Sequence, residues 1–91
     1  MYKLIFDKEA IADREYWKTS GNKAAQRKIA ELLQSISATP FKGTGDVEQL
    51  KYQKRNVWSR RINKANRITY IVSDTKEEVY IIRMRGHYDD K

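Results

Sequence analysis

The pattern of residues 2–6 predicts a first β-strand, with Tyr2, Leu4 and Phe6 on one face. Asp7 is of a residue type that commonly caps helices, so a first helix is expected to begin near Lys8. The apolar positions of this helix form only a loose stripe, which consists of Ala10, Ile11, Tyr16 and Trp17. The chain is therefore expected to open with a strand followed by a weakly amphipathic helix.

A second helix is the clearest element of the pattern. After Lys23, apolar residues recur at helical spacing, namely at Ala25, Ile29, Leu32, Leu33 and Ile36. Asn22 stands directly before this run and is a suitable cap. The helix is expected to end before Thr39, because Pro40 disfavours the helical conformation in the residue that precedes it.

β-Branched and aromatic residues dominate the second half of the chain, as is typical of strands. The runs 57–62 and 67–70 are separated by the turn-forming residues 63–66, so they predict a β-hairpin. A further run, residues 79–84, is apolar enough to form a central strand that is covered on both faces.

The segment between the second helix and the hairpin contains Gly43-Thr44-Gly45. A phosphate-binding loop would need a strand before these glycines and a Gly-Lys-Ser/Thr helix start after them, and neither is present. We therefore expect a flexible connector, with a short extended piece near residues 48–51.

These elements predict one domain over residues 1–91 with an α+β fold and the element order β-α-α-β-β-β. Both helices should lie on one face of a small, antiparallel-rich sheet. Even-numbered residues of the last two strands are apolar and should face the helices. The opposite face is then expected to be cationic, because the odd positions carry Arg61, Arg67, Thr69, Arg83 and Arg85.

Charge and composition narrow the function further. Net charge is +7, from 19 Lys and Arg against 12 Asp and Glu. Such a balance in 91 residues favours a nucleic acid, an anionic membrane surface or an acidic protein as partner. The chain has no cysteine and one histidine, so neither disulfides nor a metal site are expected. No apolar run is long enough for a signal peptide or a membrane span, which favours a cytoplasmic protein.

Five side chains form a set that suits the cleavage of RNA without a metal: Glu48, Arg61, Arg67, His87 and Tyr88. In such a reaction a base takes the proton of the ribose 2′-hydroxyl, an acid protonates the leaving 5′-oxygen, and cations stabilise the charge that builds on the phosphorane. A single histidine in a basic domain is more often a surface residue, so the residues alone leave catalysis open.

The same residues stand in a longer pattern. It consists of Thr39 to Gly45 (TPFKGTG), Glu48 to Lys51 (EQLK), Trp58 to Ile62 (WSRRI), Asn66 to Tyr70 (NRITY) and a terminal His87-Tyr88. In this order and spacing the chain resembles the Txe/YoeB family of toxins, which belongs to the RelE/ParE superfamily. The resemblance covers nearly the whole chain and implies a RelE-like fold.

The resemblance implies the toxin of a type II toxin–antitoxin system, a ribosome-dependent endoribonuclease that cuts mRNA in the ribosomal A site. By position, Glu48 resembles the general base and His87 the general acid. Arg67 would stabilise the transition state, and Tyr88 would shape the site or stack on a base. Phosphate binding would fall to Lys51, Arg60 and Arg61, with an internal acidic partner as the alternative for Arg60.

The implied partners are an acidic antitoxin of the YefM or Axe type, the 70S ribosome and mRNA, with no cofactor and no membrane. The sequence leaves a monomer and a homodimer equally open. It departs from the family pattern at Asn66, where a histidine is frequent, and in the tail 89–91. Two rival functions remain: an RNA- or ribosome-binding module that does not cleave, and a relative of the gyrase-poisoning branch.

Overall fold

The chain forms five strands and two helices, seen in a computed structural model that describes residues 1–50 and 56–86. The elements are β1 (Lys3–Phe6), α1 (Lys8–Thr19), α2 (Lys23–Ala38), β2 (Glu48–Gln49), β3 (Val57–Arg61), β4 (Arg67–Ser73) and β5 (Glu78–Arg83). The predicted order of strand, two helices and then strands is confirmed.

The strands form one mixed sheet in the order β1-β5-β4-β3-β2. The first strand runs parallel to β5, and the other neighbours are antiparallel. The hairpin is β3 and β4, and the last strand is internal, so both predictions are confirmed. The two helices pack on this sheet around a shared core, as expected of the α+β class.

Helix α2 follows the apolar pattern closely. The side chain of Asn22 accepts a hydrogen bond of 3.0 Å from the backbone N–H of Ala25, which caps the helix as predicted. The residues that it buries are Ala25, Ile29, Leu32 and Ile36, and it ends at Ala38. The spacing of apolar residues was therefore sufficient to define this element.

The predicted apolar stripe of α1 is only half right. Ala10 and Trp17 are buried, but Ile11 and Tyr16 are 53% and 44% exposed. The remaining buried position is held by Asp13, which an apolar pattern cannot predict. Since the stripe is short and interrupted, α1 depends on polar contacts as well as on burial for its position.

Two side chains of α1 bind the end of β5. The carboxylate of Asp13 accepts hydrogen bonds from Arg83 Nε at 2.8 Å and from the backbone N–H of Met84 at 2.9 Å. Trp17 Nε1 donates to the Met84 carbonyl at 2.6 Å. The guanidinium of Arg83 therefore lies against α1, and Asp13 raises its pKa by a hydrogen bond to the charged form.

The predicted parity is right for β4 and wrong for β5. In β5 the core residues are Val79 and Ile81, which pair with Val72 and Tyr70. Four residues, from Asp74 to Glu77, connect the two strands, so even positions face odd ones from the pair Ser73–Glu78 to the pair Tyr70–Ile81. A register shift follows, and beyond it Thr69 pairs with Arg83. The apolar face of β5 is consequently the odd one.

Two arginines that were predicted on the cationic face instead contact the helix layer. Arg83 binds Asp13 of α1, and the guanidinium of Arg85 lies 3.7 Å from the centre of the Tyr16 ring. Both contacts are with the helix layer. The arginines that remain on the open face of the sheet, among the described residues, are Arg61 and Arg67 of the β3–β4 hairpin.

Arg60 is fully buried on the helix side of β3. Its guanidinium donates five hydrogen bonds of 2.6–3.1 Å, to Tyr70 Oη, Ser35 Oγ and the carbonyl oxygens of Thr39, Lys42 and Thr44. All five acceptors are neutral. Among the described residues no carboxylate pairs with Arg60, so the expected internal acidic partner is replaced by neutral oxygens of the loop after α2.

That loop is closed tightly over the core. At Gly43 (φ +129°) an added Cβ would clash with Ser35 Oγ, and at Gly45 (φ +95°) with the side chain of Leu32. Positive φ angles are also costly for residues with a Cβ. The segment predicted to be a flexible connector is instead fixed by Arg60 and by close contact with α2.

Replacing Arg60 by methionine should lower the free energy of unfolding by about 3 kcal/mol or more, because buried carbonyl oxygens would lose their donors. Replacing the exposed Arg61 by methionine is the matched control and should change it by less than about 0.5 kcal/mol. Urea unfolding followed by tryptophan fluorescence measures both. Equal midpoints for the two variants would contradict the structural role of Arg60.

Alkaline pH should destabilise the fold through Tyr70. Burial raises the pKa of its phenol, and the neighbouring Arg60 lowers it only in part. The unfolded state then loses its proton first, near pH 10, so stability is complete below that pH and falls as the pH rises through the folded pKa. Urea unfolding of wild type and Tyr70→Phe at pH 8 and near pH 11 measures this. The variant should be less stable at pH 8 but lose less stability in alkali; equal losses would contradict the prediction.

Candidate functional site

The hairpin brings two arginines together on the open face of the sheet. Arg61 pairs directly with Arg67, and Ser59 with Thr69. Residues that are opposite in an antiparallel pair point to the same face. The predicted juxtaposition of Arg61 and Arg67 is confirmed, with Arg61 exposed and Arg67 partly buried.

Glu48 joins this face through the short strand β2. Its Cα is paired with that of Ser59, so Glu48, Ser59 and Thr69 form one row across three strands. Arg67 Nη1 donates to Ser59 Oγ at 3.3 Å. The guanidinium of Arg67 thus reaches over Ser59, one strand away from the exposed Glu48, and neighbouring strands lie about 4.8 Å apart.

Ser59 and Thr69 form a polar floor between the charged groups. Each is only 1% exposed. Thr69 Oγ1 is buried and has no hydrogen-bond partner among the described residues. Sequence alternation placed both hydroxyls beside the arginines, but it gave no sign that they would be buried.

The chain returns to this site just before its last residues. The backbone N–H of Arg67 donates to the Gly86 carbonyl at 3.0 Å, and the N–H of Gly86 donates to Asn66 Oδ1 at 2.8 Å. Gly86 directly precedes His87 in the sequence. Asn66, where the sequence departs from the pattern of the family that it resembles, therefore holds the backbone beside Arg67. Twenty residues separate Asn66 from Gly86 along the chain, and no local sequence pattern predicts that contact.

Three predicted site residues lie outside the described residues: Lys51, His87 and Tyr88. Of the other four, Glu48, Arg61 and Arg67 meet on the open face. Arg60 is on the opposite side of β3 with every guanidinium donor occupied, so it is not available to a phosphate. We therefore omit Arg60 from the site.

Exposed charges around the site are only weakly paired. Arg61 Nε lies 3.7 Å from a carboxylate oxygen of Asp46, and both side chains are well exposed. Such an exposed pair contributes between zero and about 1 kcal/mol to the free energy of unfolding, so Arg61 remains free to bind an anion. The described residues contain no group of three His, Asp or Glu side chains that would hold a metal ion.

Comparison with known proteins decides the family. The family described as YoeB-like toxin of bacterial type II toxin–antitoxin systems matches residues 6–88 of this chain. The chain belongs to this family. Toxin YoeB of Escherichia coli K12 is 38% identical over 86 residues, which is 94% of this chain and 99% of the relative. The resemblance inferred from the sequence motifs is confirmed.

Solved structures of YoeB-type toxins share the fold. A YoeB/ParE toxin from Agrobacterium tumefaciens superposes with a TM-score of 0.84 at 34% identity, covering 94% of this chain and 99% of that one. A Staphylococcus aureus YoeB dimer has a TM-score of 0.79 at 32% identity, covering 96% and 98%. The heterotetrameric YoeB–YefM toxin–antitoxin complex of S. aureus has a TM-score of 0.78 at 32% sequence identity, covering 97% of this chain and 99% of that one. None of the described helices in this YoeB-family chain is long and apolar enough to cross a membrane.

Replacing Thr69 by valine should leave stability unchanged or raise it by up to about 1 kcal/mol, because the buried hydroxyl forms no bond within the described residues. Replacing Ser59 by alanine removes the contact with Arg67 and serves as the comparison. Urea unfolding measures both variants. A loss of more than about 1 kcal/mol in Thr69→Val would mean that this hydroxyl is bonded in the folded protein.

Proposed function

We propose that this protein is a ribosome-dependent mRNA endoribonuclease that cuts RNA without a metal and thereby stops translation. The observation that supports this most is the placement of Glu48 and the Arg67 guanidinium on either side of Ser59, with Arg61 opposite Arg67. A carboxylate and two fixed cations on one open face suit a phosphodiester with a neighbouring hydroxyl.

Glu48 is proposed as the general base. It takes the proton of the ribose 2′-hydroxyl, the 2′-oxygen attacks phosphorus, and the bond from phosphorus to the 5′-oxygen breaks. The products are a 2′,3′-cyclic phosphate and a 5′-hydroxyl. Glu48 is exposed in the free protein, so RNA must cover it and displace its water before the carboxylate becomes an effective base.

Arg67 is proposed to stabilise the charge that develops on the phosphorane oxygens. Its guanidinium is oriented by Ser59, and its backbone is fixed by Gly86, so little reorganisation is needed when the charge appears. Arg61 holds the same strand of RNA by a phosphate contact. The support for these two roles is the direct pairing of Arg61 with Arg67 on adjacent strands.

His87 is proposed to protonate the leaving 5′-oxygen, and Tyr88 to shape the site or stack on a base. Lys51 is proposed as a further phosphate contact. For these three residues the support is the family resemblance, and for His87 it is also the attachment of Gly86 to Arg67 directly before it. An imidazole titrates near neutral pH, which suits a general acid.

The proposed partners follow from charge and family. A net charge of +7 favours RNA and the ribosome as targets, and an acidic antitoxin as inhibitor. Solved structures show S. aureus YoeB in a complex with the antitoxin YefM and, in another case, as a dimer. We propose a YefM-like antitoxin for this protein, with a homodimer as its free assembly.

Primer extension on an mRNA incubated with purified protein, with and without 70S ribosomes, tests the proposal. Wild type should give discrete cuts only with ribosomes. His87→Gln and Glu48→Gln should reduce them by about 10²- to 10⁴-fold, since each removes a proton-transfer group. Glu15→Gln, which alters an exposed pair with Lys18 on α1, is the charge-matched control and should cut normally.

Each other outcome has a definite meaning. Cuts without ribosomes would retain the nuclease but reject ribosome dependence. Undiminished cutting by both site variants would reject the proposed acid and base. A block of translation without cuts would favour the binding module, and sensitivity of DNA gyrase in place of mRNA would favour the gyrase-poisoning branch.

A further inference from the structure

A pocket of about 250 Å³ opens at the end of the sheet next to the candidate site. Its lining consists of Lys28, Gly45, Asp46, Arg61 and Ile62. Lys28 comes from α2, and Gly45 and Asp46 come from the loop after α2. Arg61 ends β3, and Ile62 directly follows it. The pocket is thus formed where α2, the loop and β3 meet, and it shares Arg61 with the open face.

The walls of the pocket are fixed by the backbone. The N–H of Arg61 donates to the Gly45 carbonyl at 2.6 Å, which ties the loop to β3. Gly45 cannot carry a side chain without striking Leu32 of α2. These two contacts hold the loop against β3 and α2 and thereby fix the backbone of the pocket.

The charges in the pocket point to an anion. Lys28 and Arg61 are cations, and neither the hairpin nor α2 offers Lys28 an ion-pair partner among the described residues. Asp46 is the only carboxylate in the lining. Its carboxylate oxygen lies 3.7 Å from Arg61 Nε, which is longer than a hydrogen bond. The carboxylate therefore occupies the position of an anion beside Arg61 without binding it tightly.

We propose that this pocket binds a second RNA phosphate through Lys28 and Arg61, and that Asp46 competes with the phosphate for Arg61. The inference rests on the proposed function, since the phosphate belongs to RNA that also lies across Arg67. A guanidinium forms two parallel bonds with phosphate oxygens, whereas Asp46 reaches it by a single long contact. Asp46 consequently weakens the binding of RNA that reaches the pocket.

Asp46 also suits a precise substitution. Its φ of +50° is in the left-handed region, which asparagine tolerates as readily as aspartate. Asp46→Asn therefore removes the charge and keeps the shape of the loop. Glu15→Gln on α1 removes an equal charge far along the chain, and Lys18→Ala is the matching control for Lys28→Ala.

The test is the affinity for a single-stranded 2′-O-methyl oligoribonucleotide, which has no free 2′-hydroxyl and cannot be cut. Fluorescence anisotropy over a series of NaCl concentrations gives both affinity and salt slope. Asp46→Asn should bind about three- to fivefold more tightly than wild type, as expected for one charge a few ångströms from a phosphate. Lys28→Ala should lower the slope of log K against log salt by about 0.7, the value for one single-strand phosphate.

Two further measurements show which RNA supplies the phosphate and whether a polymer of carboxylates can replace it. The same variants are measured against 70S ribosomes without mRNA, where an effect would assign the phosphate to ribosomal RNA. Polyglutamate replaces RNA in the second arm and should show no difference among the variants. In an Arg61→Ala background the gain from Asp46→Asn should fall to that of Glu15→Gln.

The inference is wrong if Asp46→Asn and Glu15→Gln behave alike with both the oligonucleotide and the ribosome. It is also wrong if Lys28→Ala and Lys18→Ala have the same salt slope, or if polyglutamate reproduces the RNA results. Because the oligonucleotide is not cleaved, these outcomes are independent of Glu48 and His87. Failure of the nuclease in primer extension and failure of the pocket are therefore seen in separate experiments.

Discussion

The buried guanidinium of Arg60 is the contact on which the site depends. It binds three carbonyl oxygens of the loop after α2 and two hydroxyls of the core, so it fixes the path from α2 to β2. Glu48 begins β2 at the end of that path. On β3 the next residue, Arg61, points to the opposite face. Of these two adjacent arginines, Arg60 holds the loop from inside the protein and Arg61 is exposed on the open face.

The sequence was sufficient for elements whose pattern is local. The period of α2 and its cap at Asn22 identified that helix, and the turn residues between β3 and β4 identified the hairpin. The alternation of odd and even positions predicted the faces of this hairpin correctly. Five residues, 62–66, separate its strands, so odd positions face odd ones and Arg61 pairs with Arg67. For this reason the sequence predicted the strand register that brings Arg61 and Arg67 together.

Predictions from the sequence failed where contacts between distant segments determine the position of a side chain. The four-residue connection to β5 placed Val79 and Ile81 on the core face, and a hydrogen bond to Asp13 holds Arg83 against α1. The neutral partners of Arg60 lie in a loop with no periodic pattern, so an acidic partner was the natural expectation. Asn66 and Gly86 meet only because β4 and the end of β5 are neighbours in the sheet. These contacts join distant segments, and single-sequence patterns do not encode them.

The central claim is that Glu48 and Arg67 act on the ribose 2′-hydroxyl and its phosphate. The chemical identity of the new RNA ends, determined by mass spectrometry after cleavage on ribosomes, tests it most directly. The account predicts a 2′,3′-cyclic phosphate or its 3′-phosphate hydrolysis product upstream and a 5′-hydroxyl downstream, with no cut where the 2′-hydroxyl is replaced by hydrogen. A 3′-hydroxyl with a 5′-phosphate would show attack by water and would contradict it.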